Sequence, residues 1–383
     1  MREGWEYMKL GDVCVLTMGQ SPESESYNKE GNGIPFFQGC SDFGKVNPIV
    51  STYCTAPKKI AEPMDVLISV RAPIGTLNIA SIQCCIGRGL ASIRRKAGFT
   101  DSKYLFYFLL HSKTELQRQG TGATFKSIGK DNLVNLPINL PPLTTQQEIV
   151  AELDLLNHII DQKRQQLMEY DTLAASIFFK MFGDEADFNY DKLAKVTSKI
   201  GSGATPKGGN QAYKEVGISL IRSLNVHNTE FKYEDLAHID EEQAAALNNV
   251  VIEKNDVLFN ITGASVTRSC IVPDNVLPAR VNQHVAIIRP NTEVLNYVFL
   301  NYLLVSTRYH DKLYTLSRSN GATREAITKA QLENFIIPIP PINLQLEFAA
   351  KIESIEQQKQ LLKESIKETE TLLQSRMDYW FNS

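Results

Sequence analysis

The sequence predicts an α+β chain built as a tandem pseudo-twofold repeat: two mixed α/β domains separated by two long antiparallel coiled-coil helices. Three observations predict it. At 383 residues the chain is too long for one typical domain. Its second half echoes its first in order, and each half ends in a stretch of about 40 residues without glycine or proline, apolar in heptads.

The echo is plainest between residues 120–148, GTGATFKSIGKDNLVNLPINLPPLTTQQE, and residues 319–347, SNGATREAITKAQLENFIIPIPPINLQLE. One offset, 199, aligns Gly122, Ala123 and Thr124 with Gly321, Ala322 and Thr323, Ile128 with Ile327, Lys130 with Lys329 and Leu133 with Leu332. It also aligns Pro141 and Pro142 with Pro340 and Pro341, Gln146 with Gln345 and Glu148 with Glu347. Upstream the offset drifts: Leu10 and Val13 match Leu193 and Val196, Gly33 and Ile34 match Gly217 and Ile218, Asp65-Val66-Leu67 matches Asp256-Val257-Leu258, and Ala91, Ile93 and Arg94 match Ala286, Ile288 and Arg289. The front of each copy has diverged while the tail is held. Something common is kept and something different is presented.

After each Pro-Pro pair a helix start is expected. In residues 143–182 the apolar seam is Ile149, Leu153, Leu156, Ile160, Lys163, Leu167, Tyr170, Ala174, Ile177 and Met181. In residues 342–383 it is Phe348, Ile352, Ile355, Lys359, Leu362, Ile366, Thr369, Leu373, Arg376 and Trp380, with polar members that help fix register. A helix of ~40 residues spans roughly 60 Å. The chain leaves along one such helix and returns along the other, so a pair must run antiparallel. The alternative is two amphipathic helices packed separately on their domains. The expected divisions are therefore 1–142 for the first domain, 143–182 for the first helix, 183–341 for the second domain and 342–383 for the second helix. Within the domains, Asp65–Val70, Leu77–Ile82, Leu90–Arg94, Asp256–Ile261 and His284–Arg289 read as strands, and residues 101–119 and 295–312 as helical.

Hydrophobic residues at 43% and charged residues at 22% fit a folded globular chain and exclude disordered and fibrous classes. The longest apolar runs, such as Tyr104–Leu110, fall far short of the ~18 residues a membrane span needs, and the first residues lack a signal-peptide pattern. The expected setting is cytoplasmic, without a membrane. Six cysteines (Cys14, Cys40, Cys54, Cys84, Cys85, Cys270) contain no C-x-x-C and read as reduced packing residues.

The net charge of −3 argues against a uniformly basic nucleic-acid binder, but it is unevenly placed. Residues 1–142 carry 16 cations and 12 anions, and residues 183–341 carry 16 and 18. Within the latter, residues 259–324 hold seven cations against Asp274, Glu293 and Asp311. One basic face or a salt-bridged surface would each account for this.

No catalytic signature emerges. GSGATPKGG at residues 201–209 lacks the Lys-Ser/Thr that closes a phosphate loop and reads as a turn. Asn139-Leu140-Pro141-Pro142 falls short of the Asn-Pro-Pro-aromatic signature of amino-methyltransferases, since Leu140 intervenes and Leu143 stands at the aromatic position. His111, His158, His227, His238, His284 and His310 show no metal-binding spacing, and no G-x-S-x-G elbow occurs. What remains are polar glycine loops with a cation behind them, Gly120–Lys126 and Ser319–Arg324. They suit phosphate or base-edge contact, and equally a tight turn before the coiled coil.

Trp5, Leu10-Gly11-Asp12-Val13, Gly19-Gln20-Ser21-Pro22, the paired Gly-Ala-Thr loops, the Pro-Pro helix starts and the two coiled-coil arms together resemble the specificity subunit of type I restriction-modification enzymes. The match covers essentially the whole chain, carried by the order of its parts rather than by one motif. The resemblance implies that each domain is a target-recognition domain reading one half of a bipartite, asymmetric site on double-stranded DNA, with the helices as the conserved regions. It implies a non-catalytic chain with no cofactor of its own. Its partners would be two modification subunits, which methylate adenine N6 with S-adenosylmethionine, and restriction subunits, which use ATP and Mg²⁺. The expected DNA contacts are Arg71, Arg88, Lys126, Arg222, Asn225, Arg268, Arg280, Gln283, Arg318 and Arg324. Surface turns or salt bridges are the alternative at each. Two rival classes are a coiled-coil scaffold that binds only proteins and a self-contained methyltransferase.

Overall fold

The computed structural model describes residues 4–122, 126–183, 188–206, 208–319 and 325–382. The chain divides into two compact units: residues 1–164 with 363–383, and residues 165–362.

The first unit is built on a four-stranded antiparallel sheet in the order Cys14–Met18, Leu90–Arg95, Val66–Ser69, Leu77–Ile79. A second sheet of five short strands orders Tyr27–Asn28, Tyr53–Cys54, Ile34–Phe37, Cys84–Ile86 and Ile60–Ala61. Helices Ser102–His111 and Lys113–Gln119 follow, the first started by Asp101, whose carboxylate accepts the backbone N–H groups of Lys103 and Tyr104. Strand Glu6–Lys9 pairs antiparallel with Pro137–Leu140, the segment that leads into the first long helix.

The second unit repeats this plan. Its four-stranded antiparallel sheet orders Thr197–Ser202, Val285–Pro290, Val257–Asn260 and Ser269–Ile271. Asn296 caps helix Tyr297–Val305, Thr307–Arg318 follows, and Asn189–Lys192 pairs with Ile336–Ile339. The divergent front is a three-stranded sheet, Ala237–Ile239, Ile218–Ile221, Ala279–Val281, with one parallel pair. The expected strands are present: Val66–Ser69, Leu77–Ile79 and Val257–Asn260 are shorter than expected, Leu90–Arg95 is one residue longer, and Val285–Pro290 is shifted by one. Each expected helical stretch breaks into two helices, at Ser112 and at Ser306.

The buried Asp-Arg echoes have a physical reason. Asp65 accepts from Ser92 Oγ at 2.7 Å and from Arg94 Nε at 2.9 Å, while Asp256 accepts from Arg289 Nε at 2.7 Å and Nη2 at 2.8 Å. Each carboxylate also caps its own turn, taking the N–H of Glu62 or Glu253. These carboxylates are almost wholly buried, so the pairing offsets their desolvation. Five of the six cysteines are buried and all are free, and burial pushes the thiols of Cys14, Cys84 and Cys270 up to about 12.

The long helices, Leu143–Phe182 and Ile342–Phe381, are 40 residues each and begin directly after the two Pro-Pro pairs. Every expected seam residue is buried or half-buried. In the first unit Arg376 binds Glu152, and Lys163 Nζ donates to Ser365 Oγ and Thr369 Oγ1, each at 2.8 Å. In the second, Lys359 pairs with Asp171 at 2.8 Å and Phe348 packs on Phe178. In each unit one helix advances as the other recedes, so the helix halves pair antiparallel rather than packing separately.

The compact units do not end where the long helices begin. Ile149, Leu153, Met377 and Phe381 join the first unit's core, and Ala174, Phe178, Phe348 and Ile352 join the second's. Each unit therefore owns half of each helix, whose seam joins its apolar core.

One amide fastens each helix start. Gln146 Nε2 donates to Phe99 O and Pro141 O, both at 2.8 Å, and its Oε1 accepts the Asp101 N–H at 2.9 Å. Gln345 does the same with Val294 O at 3.1 Å, Pro340 O at 2.7 Å and Asn296 N–H at 2.8 Å. Both side chains are fully buried. Replacing either by methionine strands three backbone groups, buried or part-buried, so Gln146→Met or Gln345→Met should cost about 2–3 kcal/mol in urea unfolding. An unchanged midpoint would show that the amide is dispensable.

Candidate nucleic-acid interface

At one end of the two central strands of each four-stranded sheet the backbone builds the same frame. In the first unit Val70 N–H donates to Gly89 O at 2.9 Å and Ile128 N–H to Val70 O at 3.0 Å, so that Arg71 bridges Ser127. In the second, Ile261 N–H donates to His284 O at 3.0 Å and Ile327 N–H to Ile261 O at 2.8 Å, so that Thr262 bridges Ala326. Val70 thus corresponds to Ile261, Gly89 to His284, Ile128 to Ile327 and Arg71 to Thr262. Stepping back one residue along each strand makes Arg88 the counterpart of Gln283 and Lys126 the counterpart of Glu325.

Arg71, Arg88 and Lys126 are exposed and stand on three segments stitched together by those bonds. Among the described residues none has a carboxylate partner. The Arg88 backbone is tightly held: its N–H donates to Ser21 Oγ at 3.3 Å, which also accepts from Gln38 Nε2 at 3.0 Å. A side chain on Gly87 would meet Gln38 Oε1 at 2.6 Å, and one on Gly89 would meet Gln38 O at 2.6 Å. At Gly89 the clash is with backbone and glycine is required, whereas at Gly87 it is with the end of the Gln38 side chain, which a larger residue would displace.

The second unit carries a polar chain in the same place. The Thr205 hydroxyl donates to Gln283 Oε1, Gln283 Nε2 lies 3.2 Å from His284 Nε2, and His284 Nδ1 lies 2.6 Å from Thr262 Oγ1. Gln283 is exposed and Glu325 half-buried. Arg268 is half-buried in the turn before Ser269, and Arg318 is exposed with its guanidinium 5.6 Å from the Tyr314 ring centroid.

Two expected contacts hold the fold instead. Asn225 is fully buried, donating to Lys232 O at 2.9 Å and Glu234 O at 3.2 Å and accepting the Arg222 N–H at 3.0 Å. Arg280 is buried, donating to Ala244 O, Ala279 O and Asn248 Oδ1 at 3.1–3.2 Å, and burial lowers its guanidinium pKa. Arg222 is half-buried, bound to Asp235 O and 5.3 Å from the Tyr213 ring centroid. Arg324 lies outside the described residues, as do Ala123, Thr124, Phe125 and Gly321 to Thr323 of the paired loops.

Sequence reasoning missed Thr205, Thr262, His284 and Glu325. The offset of 199 already pairs Lys126 with Glu325, whereas Thr205 becomes visible only when the 201–206 segment folds back onto Gln283. Among the described residues no three His, Cys, Asp or Glu side chains gather as a metal site, and no helix is long and apolar enough to cross a membrane.

One backbone frame thus occurs twice in the chain and carries different polar side chains in the two units. The type I restriction modification DNA specificity domain family matches residues 2–169 and 191–371, so the chain belongs to the type I restriction-modification specificity family. Over 166 residues it is 43% identical to the protein named MjaX specificity subunit of a type I restriction enzyme, from Methanocaldococcus jannaschii. That stretch covers 43% of this chain and only 39% of the relative. It is 22% identical to the type I restriction enzyme EcoBI specificity subunit of Escherichia coli, over 93% of this chain and 80% of that one. The crystal structure of a type I restriction-modification system S subunit from M. genitalium shares the fold, with a TM-score of 0.56, 13% identity, and coverage of 98% and 96% of the two chains.

The sorting of side chains predicts opposite outcomes in unfolding experiments. Asn225→Ala should lose about 2 kcal/mol, because it leaves buried backbone groups without partners, while Arg71→Ala and Arg88→Ala should stay within about 0.5 kcal/mol of the parent.

Proposed function

We propose that this chain is the non-catalytic, DNA-reading subunit of a type I restriction-modification complex, each unit reading one half of a bipartite asymmetric site on double-stranded DNA. One observation carries the reading: a single backbone frame presents Arg71, Arg88 and Lys126 in one unit and Thr262, Gln283 and Glu325 in the other. Reading two different half-sites requires such a design, because phosphates are alike everywhere while base edges differ in donors and acceptors. Arg71, Arg88, Lys126, Arg222, Arg268, Gln283 and Arg318 form the contact set, with Arg324 as its further expected member. Asn225 and Arg280 are left out of it because they are spent inside the fold.

The chemistry then belongs to partners. Two modification subunits, one for each copy of the repeat, would methylate adenine N6 using S-adenosylmethionine. Restriction subunits would use ATP and Mg²⁺. The paired long helices would dock the modification subunits and set the distance between half-sites.

Mapping N6-methyladenine across the genome of cells carrying the companion modification subunit, with and without this chain, tests the function. A split motif that appears only with the chain is expected. No chain-dependent motif, together with no salt-dependent DNA affinity of the complex, would favour a protein-binding scaffold instead, because phosphate contacts impose a steep salt slope.

The spacing role has its own test. One heptad inserted after Arg164 and another after Leu362 preserves both seams and lengthens each helix by about 10 Å. That is about three base-pair steps of ~3.4 Å. The unspecified spacer should lengthen by about that amount with both half-sites unchanged. An unaltered spacer beside altered half-sites would refute a ruler.

A further inference from the structure

The shared frame allows the recognised chemistry to be assigned one step further, resting on the DNA-reading function proposed above. A position that holds a phosphate needs only a donor, the same in both units, whereas a position that reads a base edge changes its donor and acceptor pattern with the base. Arg88 and Gln283 occupy the same place in their frames, yet one is a cation and the other a neutral amide. A donor-only fork in one unit and a mixed donor and acceptor amide in the other is the change that reading different base edges calls for.

The second unit holds the Gln283 amide at both ends. The Thr205 hydroxyl donates to Oε1, which leaves Nε2 to donate to His284 Nε2 at 3.2 Å. His284 then carries its proton on Nδ1 and donates it to Thr262 Oγ1 at 2.6 Å. This chain of bonds can also run in the opposite sense, with the amide turned and His284 protonated on Nε2, and in either sense the amide keeps one bond at each end. An amide oxygen accepts two hydrogen bonds and an NH₂ group donates two. Gln283 therefore keeps one lone pair on Oε1 and one N–H on Nε2, both on an exposed side chain. An adjacent acceptor and donor in this arrangement complement the N6 amino group and N7 of adenine in the major groove.

Arg88 offers the opposite pattern. Its guanidinium has donors only, is exposed, and projects from a turn clamped between Gly87 and Gly89 against Gln38. A donor fork complements O6 and N7 of guanine. We propose that Arg88 and Gln283 are the equivalent base-reading side chains of the two units, Arg88 reading a guanine in one half-site and Gln283 an adenine in the other. Thr205 is a positioning residue that holds one end of the Gln283 amide.

The test selects duplexes from a randomised double-stranded library with the chain assembled with its modification subunits, and sequences those retained. For the parent complex an A·T pair is expected at one position of one half-site and a G·C pair at one position of the other. Gln283→Ala should reduce discrimination at that single A·T pair roughly 5- to 150-fold and leave the other half-site as it was. Gln283→Arg should turn the same pair to G·C, and Arg88→Gln should turn the G·C pair of the other half-site to A·T. Thr205→Val, which removes that hold, should blur the same pair as Gln283→Ala. Both reading side chains are exposed, so unfolding midpoints should match the parent and separate a recognition effect from misfolding.

Parental preference at every position in Gln283→Ala and Arg88→Ala would overturn the assignment while leaving the DNA-reading function in place. Uniformly weaker binding with unchanged preference would also overturn it, since that is the signature of a phosphate contact. A parent complex that enriches no sequence would overturn the DNA-reading function itself, and this assignment with it.

Discussion

Each long helix is tied to its unit by one buried amide, and much of the remaining geometry depends on that tie. Gln146 and Gln345 lie in the first turn after their Pro-Pro pairs, where helix N–H groups normally lack partners. Each reaches out of its own helix to the N-cap residue of the unit's apolar helix, Asp101 or Asn296, and to two carbonyls, one of them in the Pro-Pro pair. The amide is the smallest group that can satisfy one donor and two acceptors at once with no charge to bury. With the start fixed, the preceding segment is held in register against the first strand of its unit, and the first seam residue, Ile149 or Phe348, is delivered into the core.

The seam itself is not wholly apolar, and its polar members do what apolar ones cannot. Isoleucine tolerates displacement along a helix, whereas Lys163 must find Ser365 and Thr369, and Arg376 must find Glu152. Lys359 shows the balance most clearly, since it is only 8% exposed yet lies 2.8 Å from both Asp171 and Glu356. Burial disfavours its charge, but the two carboxylates outweigh it and raise its pKa above the ordinary lysine value. Apolar replacements of such groups are often no less stable, so their contribution is to register and orientation more than to free energy.

The elements were legible in the sequence because they obey local rules. Heptad spacing after a Pro-Pro pair marks a long helix whatever it packs against, and Asp65-Val66-Leu67 reads as a strand from its own residues. The extent of the compact units was not legible, because burial of Phe381 beside Tyr104 or of Phe178 beside Phe299 joins residues far apart in the chain. The same limit governs the candidate site. Arg88 and Gln283 are recognisable as polar residues at turns, but so is Asn225, and only tertiary structure reveals that Asn225 closes its loop from inside. Thr205 belongs to a glycine-rich segment that fails as a phosphate loop, and a role in orienting another side chain leaves no motif.

Bulk charge misleads for a related reason. The second unit's segment is net acidic, yet many of its anions are neutralised where they stand: Asp256 and Glu253 on Arg289, Asp274 on Lys254, Asp240 on Lys214, Glu230 on Lys232, Asp191 on Lys195. Exposed pairs of this kind add little stability, but they remove net field from the faces that carry them. Arg268 and Arg318 have no carboxylate partner among the described residues, so they retain their charge for an outside anion. Glu325 is the exception on the frame, because a carboxylate turned toward a phosphate is repelled rather than bound. Of the groups DNA presents in the major groove, amino groups such as N4 of cytosine are what a carboxylate can accept from. On the proposed function, an acidic residue at this place suits a frame that tells bases apart better than one that only grips the backbone.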